Sequence, residues 1–156
     1  MLNLTETYEC KVDAKGRIML PTALKKTLAP SLAGGFVLKR SVFQRCLELW
    51  PMAEWDLMMQ KVNKLNRFVK KNNDFIRKFT AGVKMIEVDS TGRILLPKDL
   101  KAFASIEKEV VLNGAVNILE IWDTQGYEEA IDDDGDFAEL AEDVMGGIND
   151  LPDGIS

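Results

Sequence analysis

The sequence predicts an α+β fold, mainly β, built from two copies of one small β-turn-β-α-β-β unit. Three observations predict it. The phrase Val12-Asp13-Ala14-Lys15-Gly16-Arg17-Ile18-Met19-Leu20-Pro21 returns 76 positions later as Val88-Asp89-Ser90-Thr91-Gly92-Arg93-Ile94-Leu95-Leu96-Pro97. Leu47-Glu48-Leu49-Trp50 returns 72 positions later as Leu119-Glu120-Ile121-Trp122, in the same order within its copy. Between the copies, Pro51 to about Lys84 changes to helical spacing. A unit of roughly 45 residues buries too little surface to stand alone, so the two copies are expected to share one core.

In the first copy, Tyr8-Glu9-Cys10-Lys11-Val12 alternates in the manner of a strand. Asp13-Ala14-Lys15-Gly16 supplies turn chemistry, because aspartate can accept from the backbone ahead of it and glycine can take positive φ. Arg17 to Leu20 resumes the strand, and Pro21 opens a short helix over Thr22 to Leu28. Ala29 to Gly35 form a loop, where the four-residue difference between the two offsets is accommodated cheaply. Phe36 to Lys39 and Arg45 to Trp50 complete the unit as two strands.

Pro51 opens the intervening helical hairpin. Met58, Val62, Leu65 and Val69 form an apolar stripe on its first helix. Lys71-Asn72-Asn73-Asp74 reads as a break and a new N-cap, followed by a second helix carrying Phe75, Ile76 and Phe79. Lys61, Lys64, Arg67, Lys70 and Lys71 lie off the stripe, as a solvated face or a second zone of phosphate contact. After the second copy, Asp123-Thr124 cap a helix through Tyr127 and Ile131, and Asp132 to Asp136 make an acidic link. Phe137, Leu140, Ala141 and Val144 then predict a short amphipathic helix docked on the body. Residues 146–156 are expected to be mobile. This tail serves solubility, or it docks and competes with an anionic ligand.

The net charge of −5 hides a strong segregation. All 20 Lys and Arg lie between Lys11 and Lys108 against 11 acidic residues in positions 1–108, which leaves +9. Positions 109–156 hold 14 acidic residues and no Lys or Arg. A basic body with an acidic tail is compatible with nucleic-acid binding. No run of about 18 apolar residues crosses a membrane, and the N-terminus has no secretory pattern, so a cytosolic location is expected. Cys10 and Cys46 form no metal-spaced pair and read as buried, reduced thiols.

The missing chemistry narrows the function. The chain has no His, so histidine acid–base pairs, triads and metal sites are excluded. No GxxxxGK[ST] or GxGxxG phosphate loop occurs. Asp13 and Asp89 enter glycine turns, which favours turn capping over a catalytic carboxylate pair. Residues 132–136 lack the spacing of an EF-hand loop. The expectation is a protein that is not an enzyme and needs no cofactor and no metal. Arg17 and Arg93 stand out, since Asp, Gly and Pro have structural reasons to recur in the phrase and Arg has none. A guanidinium can grip phosphate or a guanine edge with two prongs, and Lys15 adds a backbone contact in the first copy.

The VDxKGRIxLP and VDxxGRILLP phrases resemble the SpoVT/AbrB swapped-hairpin DNA-binding domain. Two copies, with Leu47-Glu48-Leu49-Trp50-Pro51-Met52-Ala53-Glu54-Trp55 between them and Leu119-Glu120-Ile121-Trp122-Asp123 at the end, are similar to the MraZ family over roughly residues 7–131. The resemblance implies two swapped-hairpin halves that intertwine into one pseudo-symmetric barrel. Domains are then expected at 7–54 and 83–126, a helical linker at 55–82 and an acidic C-terminal tail at 127–156. It also implies a transcriptional regulator of the division and cell-wall gene cluster. Such a protein binds promoter direct repeats in double-stranded DNA as a ring-shaped homo-oligomer and is cytoplasmic and nucleoid-associated. Arg17 and Arg93, with Lys15, are the expected DNA contacts; Asp13, Gly16, Asp89 and Gly92 shape the turns. The rival expectation is a protein-binding barrel or ring scaffold without specific DNA binding. The second turn carries Ser90-Thr91 and no lysine.

Overall fold

The computed structural model describes residues 2–133 and 135–147. The first copy contains β1 (Thr7–Lys11), β2 (Arg17–Met19), α1 (Thr22–Leu28), a 3-10 turn (Ala29–Gly34), β3 (Phe36–Arg40) and β4 (Leu47–Pro51). The two linking helices are α2 (Met52–Val62) and α3 (Lys70–Phe79). The second copy contains β5 (Lys84–Ile86), β6 (Arg93–Leu95), α4 (Lys98–Phe103), β7 (Glu109–Ala115) and β8 (Ile118–Asp123). Two further helices follow, α5 (Thr124–Ile131) and α6 (Phe137–Met145). The fold is therefore α+β with a duplicated unit, and its strands pair antiparallel.

Pro21, Pro51 and Pro97 stand immediately before α1, α2 and α4, in the extended backbone that precedes a first turn. Their missing N–H groups lie where a helix has no internal partner to offer. Asp123 caps α5 as expected by accepting from Gly126 N at 3.1 Å.

The pairing between strands is mostly not local. The phrase around Gly16 reads as a hairpin, but β1 and β2 share only the single bridge Val12 to Ile18. Instead β1 pairs with β7, and β5 pairs with β3, so each copy lends its first strand to the other. The large sheet runs β1-β7-β8-β4-β3-β5, an order unchanged when the two copies are exchanged. A separate two-stranded ribbon joins β2 to β6, again one strand from each copy. Three-residue strands make poor hairpins by themselves; partners from the other copy let their apolar side chains be buried.

One core lies beneath both copies. Leu20, Leu24, Leu38 and Leu49 of the first meet Leu96, Leu100, Leu112 and Ile121 of the second, all almost fully buried. At about 1.5–3 kcal/mol for each large side chain removed from water, the shared core is the main source of stability. The opposite faces of β3–β4 and β7–β8 carry Trp50 and Trp122, the repeated tryptophans. Trp50 packs edge-on to Trp55 of α2 at 5.5 Å between centroids, and Trp55 stacks on Phe79 of α3 at 5.6 Å. Trp122 packs under α5 against Tyr127 at 6.0 Å.

Three expectations need correction. The apolar stripe does not continue to Val69 as one helix, because α2 ends at Val62. Lys71 to Asp74 are not a break; they lie inside α3. The asparagines explain both. Asn66 Oδ1 accepts from Phe68 N at 2.9 Å, and Asn72 and Asn73 reach back from α3 to donate to the carbonyls of Asn66 and Arg67 at 3.0 and 2.7 Å. These bonds shape a turn over 63–69, while Asp74 ion-pairs along the helix with Lys70 and Arg77. The third correction concerns α6, which does not dock: Phe137, Leu140 and Val144 are 77%, 57% and 63% exposed. The expectation of mobility falls largely outside the described residues, which end at Gly147. Cys46 is buried and its thiol is pushed up to about 12 by burial, whereas Cys10 is only half-buried. Among the described residues no helix is long and apolar enough to cross a membrane.

Candidate nucleic-acid interface

The two repeated turns close in the same way, bond for bond. Asp13 Oδ1 accepts from the backbone N–H groups of Lys15 and Arg17, both at 2.9 Å. Asp89 Oδ1 accepts from Thr91 and Arg93 at 3.0 and 2.9 Å. The turn N–H of Gly16 donates to Asp13 O at 3.0 Å, and Gly92 donates to Asp89 O at 2.9 Å. Gly16 and Gly92 have φ of +86° and +88°, a region that a residue with a Cβ enters at a cost. Their carbonyls then accept from the opposite copy: Leu96 N donates to Gly16 O at 2.8 Å, and Leu20 N to Gly92 O at 3.0 Å. Each turn is thus fastened to the strand end of the other unit.

The second oxygen of each aspartate holds the arginine. Arg17 Nε donates to Asp13 Oδ2 at 2.9 Å and Arg93 Nε to Asp89 Oδ2 at 3.0 Å, with both arginine side chains 29% exposed. Arg17 and Arg93 therefore do have a structural partner, contrary to the reading that Asp, Gly and Pro alone had a reason to recur. Holding the guanidinium by Nε reduces the rotamer freedom that a free arginine loses on binding, and leaves the terminal nitrogens for another acceptor.

The backbone N–H of Arg17 holds the Asp13 carboxyl below the ordinary aspartate value of 3.8, and that of Arg93 does the same for Asp89. A carboxyl depressed by folding stabilises the fold in full above its unfolded value. That stabilisation is lost as pH falls through the depressed folded value. Carboxyl carbon NMR titration should accordingly place both midpoints below 3.8; midpoints at or above it would mean that the turn bonds do not form in solution.

Register decides where the arginines face. In the β2–β6 ribbon Arg17 stands opposite Leu95, Ile18 opposite Ile94 and Met19 opposite Arg93. Alternation puts Ile18 and Ile94, both fully buried, on the inner face. Arg17, Met19, Arg93 and Leu95 share the outer face, with Met19 49% and Leu95 53% exposed. The arginines are diagonal neighbours, roughly 7 Å apart at Cβ. The structure thus brings Asp13, Gly16, Arg17, Asp89, Gly92 and Arg93 to one ribbon and its two turns. Lys15 sits exposed at the tip of the first turn.

Two lysines at this site were missed from the sequence. Lys25 of α1 lies across the turn of the other copy, where a methyl added at Gly92 would stand 2.8 Å from its Cδ and 2.9 Å from its Nζ. Lys101 of α4 lies beside the first turn, its Cδ 3.7 Å from the matching point at Gly16. The second turn therefore has a neighbouring cation after all, delivered from the first copy. The signal was present: Lys25 and Lys101 are 76 positions apart, the same offset as Arg17 and Arg93.

These features define a class: a duplicated, strand-exchanged unit that presents a pair of aspartate-held arginines on a two-stranded ribbon. The family description "MraZ protein, putative antitoxin-like" matches residues 4–78 and 79–145. A protein of Flavobacterium psychrophilum named Transcriptional regulator MraZ is 69% identical over the whole of both chains. One so named from Christiangramia forsetii is 64% identical over the whole of both, and one from Cytophaga hutchinsonii is 41% identical over 86% of this chain and 89% of its own. The chain belongs to the MraZ family.

Proposed function

We propose that this protein is a transcriptional regulator that binds double-stranded DNA through the outer face of the β2–β6 ribbon. The observation that carries the reading is the pair of outward arginines on one ribbon, each held by the aspartate of its own turn. A two-stranded ribbon fits the major groove, where an arginine can bond guanine O6 and N7 together. Met19 and Leu95 between the arginines suit thymine methyl groups. Lys15, Lys25 and Lys101 suit the phosphates on either side, which position a protein without specifying sequence. The names carried by the relatives support the regulatory role.

The finer reading extends this. The two halves, 7–54 and 83–126, act as swapped-hairpin SpoVT/AbrB-like domains of one barrel, with 55–82 as a linker and 127–156 as an acidic tail. Several copies assemble into a ring that meets direct repeats in the promoter of a division and cell-wall gene cluster. Weak contacts repeated along the DNA then gain avidity when ring spacing and repeat spacing match.

A mobility shift with the DNA upstream of the gene, against a scrambled duplex and across a salt series, tests the reading. Binding should favour the native sequence and weaken steeply, with a log–log slope of roughly −0.9 per neutralised phosphate. No preference at any salt concentration would overturn it in favour of a scaffold without specific DNA binding.

A further inference from the structure

The turn between α2 and α3 carries chemistry that the ribbon does not use. Lys61, Lys64, Arg67, Lys70 and Lys71 crowd this stretch, and no acidic residue lies between Asp56 and Asp74. All five cations are exposed. Among the described residues Lys70 pairs with Asp74, while Lys61, Lys64 and Lys71 make no ion pair. In their midst stands Phe68, 100% exposed.

A loose loop does not account for that exposure. The peptide group entering Phe68 is bonded at both ends: its N–H donates to Asn66 Oδ1 at 2.9 Å, and its carbonyl accepts from Asn73 at 2.7 Å. Arg67 Nε donates to Asn73 Oδ1 as well. Buried Val62 and half-buried Leu65 anchor the turn to the cluster of Trp50, Trp55 and Phe79. The chain thus fixes an aromatic ring outward with no apolar neighbour to cover it. Leu38 and Leu49 face the shared core with Ile18 and Ile94, whereas Val37 and Trp50 face α2 and α3. The helical hairpin therefore lies on the sheet face opposite the ribbon, away from the surface that Arg17 and Arg93 present.

We propose that this turn docks on an anionic lipid bilayer, with Phe68 entering the headgroup boundary and Lys61, Lys64 and Lys71 meeting lipid phosphates. The pairing of charge with an apolar tip selects the partner. A bilayer surface takes both parts, since cations are drawn to anionic headgroups and an aromatic side chain is buried at the acyl boundary. The phosphates of a duplex take the cations and leave the ring in water. Four of the five cations are lysines, point charges suited to a diffuse anionic surface rather than to two-pronged readout. The inference does not rest on DNA binding by the ribbon.

The test is flotation of the full chain with vesicles of phosphatidylcholine alone or mixed with phosphatidylglycerol at roughly 2:1. The parent should float with the anionic vesicles and not with the neutral ones. Lys61→Gln with Lys64→Gln and Lys71→Gln should lower the partition coefficient by on the order of 100-fold, at about fivefold per charge. Phe68→Ser should lower it about tenfold. Phe68→Trp should float like the parent and be quenched by brominated acyl chains, against a background of Trp50, Trp55 and Trp122 that are buried in the chain. All four positions are exposed, so circular dichroism and melting should match the parent. Arg17→Ala with Arg93→Ala should also float like the parent; its failure to do so would move the lipid contact to the ribbon and overturn the proposal. A parent that does not float, a serine variant that floats as well as the parent, or an unquenched tryptophan would overturn it too. So would quenching of Phe68→Trp by a single-stranded oligonucleotide and not by the lipid, the result expected if bases stack on the tip.

Discussion

Arg17→Ala combined with Arg93→Ala is expected to weaken binding to the upstream DNA by roughly 2–6 kcal/mol, on the order of 30-fold at the least. Each arginine is asked to supply one two-pronged base contact, worth about 1–3 kcal/mol of discrimination. The loss should fall on the native sequence and leave non-specific binding largely in place, since Lys15, Lys25 and Lys101 remain. Folding should survive, because the turns close chiefly through backbone N–H groups on Asp13 and Asp89, which the substitution keeps. Exposed ion pairs add little to stability. Arg17→Lys with Arg93→Lys separates charge from shape: the salt dependence should persist while sequence preference falls, because an ammonium has no planar fork. Unchanged affinity of the alanine pair at matched salt would remove the ribbon from the DNA interface.

Ile94→Ala should have the largest effect on stability. Ile94 is fully buried, stands opposite Ile18 and packs into the core beneath both arginines. Truncating a buried isoleucine costs about 2–5 kcal/mol through lost burial and the cavity left behind. For a chain of this size that lowers Tm by on the order of 5–20 °C. The same change at Leu140, on the exposed seam of α6, should stay within about 0.5 kcal/mol. Denaturation of Ile94→Ala should remain a single transition, because the leucines of both copies share one core. Two separate transitions would show that the copies fold independently and that β2–β6 pairing does not bind them together.

Much of this was legible because the chain says it twice. The repeat exposed the unit, and Pro21, Pro51 and Pro97 marked helix starts that need no information from elsewhere in the fold. Asp13 and Asp89 were readable as turn caps for the same local reason: their partners lie two and four residues away. The misreadings share a cause. Apolar period carried α2 past Val62, although Asn66, Asn72 and Asn73 stop and restart the chain through side-chain bonds that periodicity does not register. The α6 seam reads as a docked face, although a hydrophobic pattern by itself does not say whether a face is covered, and here it is exposed.

The sequence by itself determined the two units, their turns, the helix starts and the residues Asp13, Arg17, Asp89 and Arg93 as the place to look. These depend on interactions within a few residues, or on repetition that needs no geometry. Only the tertiary structure decided that β2 pairs with β6, that both arginines face outward from one ribbon, and that Lys25 and Lys101 cross to the opposite turns. The reason is register. Whether a side chain at a short strand faces core or solvent depends on a partner strand some 76 residues away, and burial of Ile18 against Ile94 selects the pairing that turns Arg17 and Arg93 to the outside.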